Sequence, residues 1–273
     1  MKKYNSKMDN HVDKTVQRIV YFDVDGTLLD MARGLPLSAR TIEAIKQLQR
    51  NGIIVAINTG RGHGFIPSDV RAVGFDSYVT GCGTYITHNN RVIKDIGYTH
   101  EESQRVVEVF RAARLDMIME GPEHIYFEPE SFYPETAYDS SHLFDHGHST
   151  KRFPQDKIVA NKISYMLTSQ EKDVYVRGQL ADIMHFICHP NMREGMPHGC
   201  TKATGMKHLE DVIGSSFSYS FGDSINDLDM FAHSNVSICM GNAPDHVKAK
   251  ADYVAPDLAD EGIAVMLERL ELI

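Results

Sequence analysis

The sequence predicts an α/β protein, a doubly wound, Rossmann-like parallel sheet with a smaller α+β domain inserted into it. Three observations predict this. A strand–helix–strand rhythm occupies residues 18–57, the same alternation returns between residues 201 and 270, and the stretch between them changes to short strands, prolines and many histidines. The expected division is a sheet domain made of residues 1–83 and 191–273, interrupted by an insert over residues 84–190.

Taken in order, the apolar run RIVYF at residues 18–22 reads as a short buried strand that ends in an acidic turn. Pro36 and Ser38 open a helix that runs to Arg50. Ser38 is the expected N-cap, Ile42, Ile45 and Leu48 share one face, and Gly52 stands past the end. The run IIVAI at 53–57 is the next strand, bounded by Asn58-Thr59-Gly60. Strand, helix, strand in this order is a βαβ unit and calls for parallel pairing. In the middle, residues 85–96 read as a hairpin turning at Asn89-Asn90, and residues 101–113 as a helix burying Val106, Val107, Val109 and Phe110. Residues 163–167 and 183–188 are the best strands of the insert. The last third gives a helix at 201–213, strands at 217–221 and 236–240, short helices at 226–233 and 243–251, an extended piece at 253–255 and a final helix at 260–270.

Bulk properties narrow the function classes. A net charge of −9, from 28 basic and 37 acidic residues, argues against a broad nucleic-acid surface, which needs a basic face. It leaves room for a small anionic substrate, because a pocket in an acidic protein can hold a metal. No apolar run reaches the roughly 18–20 residues that span a bilayer, and residues 1–14 are too polar for a signal peptide. Cys82, Cys188, Cys200 and Cys239 show no metal-like spacing and read as free thiols of a cytoplasmic protein.

In a doubly wound sheet, ligands bind beyond the carboxyl ends of the strands. Four polar clusters fall there: Asp23 with Asp25, Thr59-Gly60-Arg61, Lys202 near its helix start, and Gly222-Asp223 with Asn226-Asp227. Asp23, Asp25 and Asp223 are hard oxygen ligands of the kind Mg²⁺ prefers. Thr59 and the amides after it offer hydrogen bonds to a phosphate, and Lys202 offers a positive charge. A carboxylate can attack phosphorus to give an aspartyl-phosphate, and a second carboxylate two residues on can protonate the leaving alkoxide and then activate water. Taken singly, Asp25-Gly26 could be a simple turn and Asp23 a cap, and Lys202 a solvated helix residue.

Taken together, these segments resemble the four motifs of the haloacid-dehalogenase-like (HAD) hydrolases. Asp23-Val24-Asp25-Gly26-Thr27 is similar to the first motif, D-x-D-G-T. Thr59 matches the second and Lys202 the third, and Gly222-Asp223-Ser224-Ile225-Asn226-Asp227 matches the fourth, G-D-x-x-N-D. The long insert resembles the α/β (C2-type) cap of the Cof-like phosphatases. The resemblance implies Asp23 as nucleophile and metal ligand, and Asp25 as general acid/base binding Mg²⁺ through its backbone carbonyl. It implies Asp223 as the third protein ligand and Asp227 as a support behind the metal. Thr59, Gly60, Lys202 and Asn226 would hold the phosphate. The expected activity is Mg²⁺-dependent hydrolysis of a small phosphorylated metabolite such as a sugar phosphate, nucleotide or cofactor phosphate, without nucleic acid or membrane. A phosphomutase using the same intermediate and a phosphate-binding protein without turnover are the alternatives.

One departure from the subgroup stands at Cys82-Gly83-Thr84, where Asn-Gly-Ala is common, and it bears on substrate identity more than on chemistry. Gly241-Asn242-Ala243 also resembles a family segment beside the site, with no catalytic role assigned. Arg61 is open between pairing with substrate and pairing with a carboxylate. His142, His146 and His148 with Asp145 have metal-like spacing but no completing ligand, and read as a solvated or substrate-facing segment. Met184, Met192 and Met196 read as core or pocket filler. Cys82 has no visible base to make it a nucleophile.

Overall fold

The computed structural model describes residues 16–127, 149–152 and 158–273. An eight-stranded sheet forms the base of the molecule. Its strands are β1 (Arg18–Phe22), β2 (Ile54–Asn58), β3 (Ser77–Thr80), β4 (Tyr85–His88), β5 (Arg91–Asp95), β12 (Phe217–Gly222), β13 (Val236–Cys239) and β14 (Tyr253–Val254). The order across the sheet is β14-β13-β12-β1-β2-β3-β4-β5. The strands from β14 to β3 pair in parallel, and β4 and β5 fold back antiparallel on the edge. Successive strands of the N-terminal half run outward from β1 on one side and those of the C-terminal half on the other. The switch of direction lies between β1 and β12, where such sheets open a crevice at the carboxyl ends.

The sheet is buried on both faces because β1 alternates between two cores. Val20 and Phe22 pack with Ala44, Ile45 and Leu48 of helix α1 (Ala39–Arg50) and with the helix Gly262–Arg269. Ile19 and Tyr21 pack on the opposite side with Met206 and Leu209 of the helix Lys202–Ile213. Ser38 caps α1, its hydroxyl accepting from the Thr41 amide at 3.0 Å, as its position predicts. The helix expected at 226–233 is split into a 3₁₀ turn, Ile225–Asp227, and an α-helix, Leu228–His233. Asp227 is drawn back against the end of β12, and this tightens the first turn.

A second, six-stranded sheet lies over the carboxyl ends of the first. Its strands are β6 (Ile118–Glu120), β7 (His124–Phe127), β8 (Ser149–Arg152), β9 (Lys162–Met166), β10 (Met184–Cys188) and β11 (Met192–Pro197), in the order β10-β11-β9-β6-β7-β8. Helices His100–Ala113 and Gln170–Gln179 cover one face, burying Val106, Phe110, Val176 and Leu180 on Ile163 and Tyr165. Side chains alternate along a strand, so Lys162 and Ser164 of β9 turn to the other face, toward the crevice.

Strand pairing crosses the borders expected at 84 and 190. The 85–96 hairpin belongs to the base sheet, because β4 pairs with β3 from Ser77↔His88 to Thr80↔Tyr85. Its turn does sit at Asn89-Asn90, both with positive φ (47° and 61°). At the other end, Met192–Pro197, expected in the base domain, pairs in the upper sheet between β10 and β9. Periodicity identifies a strand but carries no information about its partner, and Pro190 marks a hairpin turn, not a border.

Candidate active site

The crevice at the switch point is a cavity of about 600 Å³ between the two sheets. Asp23 follows β1, Thr59 follows β2 and Asp223 follows β12, so parallel pairing of these three strands brings them to one edge. Asp23 is buried at 4 % exposure. Its carboxylate oxygen Oδ1 lies 2.8 Å from Lys202 Nζ, and the same ammonium lies 2.6 Å from Asp227 Oδ1. The other oxygen of Asp227 accepts from the Asp223 and Ser224 amides, both at 2.9 Å. Asp227 is thereby committed to protein partners and braces the loop that carries Asp223. Asp223 accepts from Thr27 Oγ1 at 3.2 Å.

Two glycines make this packing possible. Gly26 has φ +77°, and a Cβ there would stand 2.3 Å from Asp223 Oδ2. A Cβ on Gly222 would stand 2.5 Å from the Asp227 carboxyl carbon. The D-x-D-G and G-D patterns therefore carry a steric requirement: carboxylates approach the backbone where no side chain fits. Asn242 ties the far wall to the first loop, donating to the Gly26 carbonyl at 2.7 Å and accepting from the Leu258 amide at 3.2 Å.

Asp23, Asp223 and Asp227 present oxygens within 4.8 Å of one another. Three carboxylates face one ammonium, which leaves two negative charges, the charge of one divalent cation. The pull on each group's proton reflects the same imbalance. Burial, with Asp227 and Asp25 adding to it against the pull of Lys202, pushes Asp23 up to about 7. Burial, then Asp23 and Asp227, pushes Asp223 up to about 8. Burial works against the charge of Lys202, but Asp227 and Asp23 outweigh it and hold the ammonium well above its usual range. The ammonium is shared between two carboxylates and cannot neutralise a third. The donor set thus fits a hard divalent cation.

The other side of the crevice is made from the loop after β2 and the turn after β12. The Arg61 amide donates to Thr59 Oγ1 at 3.2 Å, and Cys82 donates to the Thr59 carbonyl at 3.1 Å, which fixes the loop. Ser224 Oγ donates to Asn226 Oδ1 at 2.7 Å, so the Asn226 amide nitrogen is turned toward Gly60 and the cavity. The structure brings Asp23, Thr59, Gly60, Lys202, Asp223, Asn226 and Asp227 together at this edge of the sheet.

Asp25 differs. Its side chain is 51 % exposed and grips Arg61 through two bonds of 2.7 Å, so Arg61 pairs with a carboxylate. Cys82 sits at φ +54°, a conformation that asparagine adopts more readily than cysteine. Burial raises its thiol far above the usual range, so it is inert as a nucleophile. The histidine cluster at 142–148 lies outside the described residues.

Sequence reasoning missed the upper wall of the cavity, made by Glu120, Lys162, Ser164 and Glu194. A signal existed: a single charge closing an otherwise apolar strand, as in Ile118-Met119-Glu120. Among the described residues no helix is long and apolar enough to cross a membrane.

The family model described as haloacid dehalogenase-like hydrolase matches residues 20–267. A putative phosphatase of Bacillus subtilis strain 168, YkrA, is 26% identical over 266 residues, covering 94% of this chain and 98% of its own length. The pyridoxal phosphate phosphatase YbhA of Escherichia coli K12 is 24% identical over 272 residues, covering 90% of this chain and 96% of its own. The crystal structure of a hypothetical protein from Geobacillus kaustophilus HTA426 is similar with TM-score 0.80 and 27% identity, covering 94% of this chain and 100% of that one. The chain belongs to the haloacid dehalogenase-like hydrolases, as a Cof-like phosphoric monoester hydrolase.

Proposed function

We propose that the protein hydrolyses a small-metabolite phosphomonoester with Mg²⁺, through an aspartyl-phosphate on Asp23. The observation that carries this reading is the set of three carboxylates around one buried ammonium, facing hydrogen-bond donors at the head of a metabolite-sized cavity. Asp23, Asp223 and the backbone carbonyl of Asp25 would hold the ion, with Asp227 bracing it from behind. When bound, Mg²⁺ would screen the repulsion between the Asp23 carboxylate and the phosphate dianion.

The protein groups divide the remaining work. Thr59, the Gly60 amide, Lys202 and Asn226 orient the phosphate. An Asp23 oxygen forms the new bond to phosphorus while the bond to the leaving oxygen breaks. Asp25, turned from Arg61, gives that oxygen a proton. Asp25 then takes a proton from a water that attacks phosphorus, and the bond to Asp23 breaks to release inorganic phosphate.

The upper sheet closes over the site and would exclude bulk water and bulky substrates. A cytoplasmic setting accords with four free cysteines. The similarity to a pyridoxal phosphate phosphatase supports a small metabolite as substrate. A panel of metabolite phosphates at pH 7 tests the reading. Phosphate release that needs Mg²⁺ is expected, whereas isomer formation from a hexose phosphate without free phosphate would replace hydrolysis by a mutase.

A further inference from the structure

The upper wall of the cavity carries a charged cluster that the phosphate chemistry does not use. Lys162 Nζ lies 3.0 Å from Glu120 Oε1 and 2.6 Å from Glu194 Oε1. Ser164 Oγ donates to Glu120 Oε1 at 2.6 Å, and His189 Nε2 lies 2.7 Å from Glu194 Oε2. Lys162, Glu120 and Glu194 are all buried, and all line the cavity. The cluster also reaches the phosphate loop, because the Gly62 amide donates to Glu120 Oε2 at 3.1 Å. Burying such a set is costly, and an apolar set of the same volume is often no less stable. Its position over the nucleophile gives the cost a use.

We propose that Glu120, Lys162, Glu194 and His189 read the leaving group, selecting neutral, hydroxyl-rich phosphomonoesters and rejecting those that bear a second anion. This rests on the phosphohydrolase reading above. The argument is one of charge. Two carboxylates share one ammonium here, leaving acceptor positions for substrate hydroxyls. Burial pushes the Glu194 carboxyl up, but Lys162 and His189 outweigh it and hold it down at about 2, so it stays an anion.

The other cationic side chains lining the cavity, among the described residues, are also engaged. Arg33 holds Asp257 through bonds of 3.2 and 2.6 Å, and Arg61 holds Asp25. Six carboxylates line the same cavity. A second phosphate or a carboxylate on the leaving group would therefore lose its water and meet no uncommitted cation, which is discrimination by an unpaired charge.

The test uses p-nitrophenyl phosphate hydrolysis with Mg²⁺ as the readout, and two competitors. Sorbitol 6-phosphate and 6-phosphogluconate differ only in a CH₂OH against a carboxylate at the far end. The wild-type protein is expected to be inhibited at least tenfold more tightly by sorbitol 6-phosphate. Glu194→Gln, with its fold checked by circular dichroism, is expected to compress that ratio at least threefold. Equal or reversed inhibition of the wild type, including none by either compound, overturns the proposal. An unchanged ratio in a folded Glu194→Gln variant overturns the assignment to this cluster. The wild-type ratio decides whether or not the variant folds. No hydrolysis of the aryl phosphate at all is a different result and sinks the phosphohydrolase reading beneath it.

Discussion

Replacing Lys202 by methionine removes the only positive charge within hydrogen-bond distance of Asp23 and Asp227 among the described residues, while keeping most of the volume. At 2.8 Å, a unit charge pair in a medium of effective dielectric 20 is worth about 6 kcal/mol. Much of that is spent on desolvating a fully buried ammonium, so the net cost of breaking such a pair is about 3–5 kcal/mol. For a chain of this size that corresponds to a fall in Tm of roughly 6–20 °C. The loss depends on pH. Without Lys202, the carboxyl of Asp23 rises still further, and a group whose folded pKa is raised contributes stability at low pH and loses it as pH climbs through that value. The variant should therefore melt close to wild type at pH 5.5 and far below it at pH 8. Thermal melts followed by circular dichroism at the two pH values, in EDTA, measure this. A fall of less than about 3 °C at pH 8, or an equal fall at both pH values, would refute the account of the three carboxylates and the shared ammonium.

Two further predictions concern the metal site. Burial, with the neighbouring carboxylates adding to it, raises Asp23 to about 7 and Asp223 to about 8, against 3.8 for a free carboxyl. The folded state therefore holds extra protons between about pH 4 and 8, and the EDTA-treated protein should lose stability across that window. Mg²⁺ must displace those protons, so its stabilisation of Tm and its apparent affinity should both grow from pH 5.5 to pH 8. Affinity flat with pH in titration calorimetry would contradict this. Gly26→Ala places a Cβ at φ +77° and 2.3 Å from Asp223, whereas Gly214→Ala places one at φ +70° with nothing within 4 Å. Both should cost about 1–2 kcal/mol of backbone strain, but only Gly26→Ala should reduce Mg²⁺-dependent turnover, by tenfold or more. Equal activity of the two variants would show that Gly26 serves the turn alone.

Local signals made the base sheet readable. The run RIVYF, the capped helix after Ser38 and the turn at Asn58-Thr59-Gly60 each follow from neighbours within a few residues. The carboxylates of D-x-D-G and G-D-x-x-N-D stand next to glycines for a steric reason that the pattern records. What depends on distant pairing was not readable. Nothing in residues 85–95 says that this hairpin extends β3, and nothing in residues 192–197 says that they lie between β10 and β9. Helix Gln170–Gln179 was missed because few of its residues are buried, Asp173 and Val176 among them. The cluster of Glu120, Lys162 and Glu194 comes from three strands far apart in sequence, so each charge looks isolated until the sheet is assembled. Asp25, expected as the general acid/base, lines the cavity with its side chain paired to Arg61, a partner its own motif does not name.

The central claim is that Asp23 attacks phosphorus. Rapid acid quench during turnover of an aryl phosphate with Mg²⁺, followed by borohydride reduction and peptide mass spectrometry, addresses it directly. Asp23 should be recovered as homoserine, the product of reducing an aspartyl-phosphate, and Asp23→Asn should yield no such product and no turnover. Homoserine at another aspartate, or near-normal turnover by Asp23→Asn, would contradict the account.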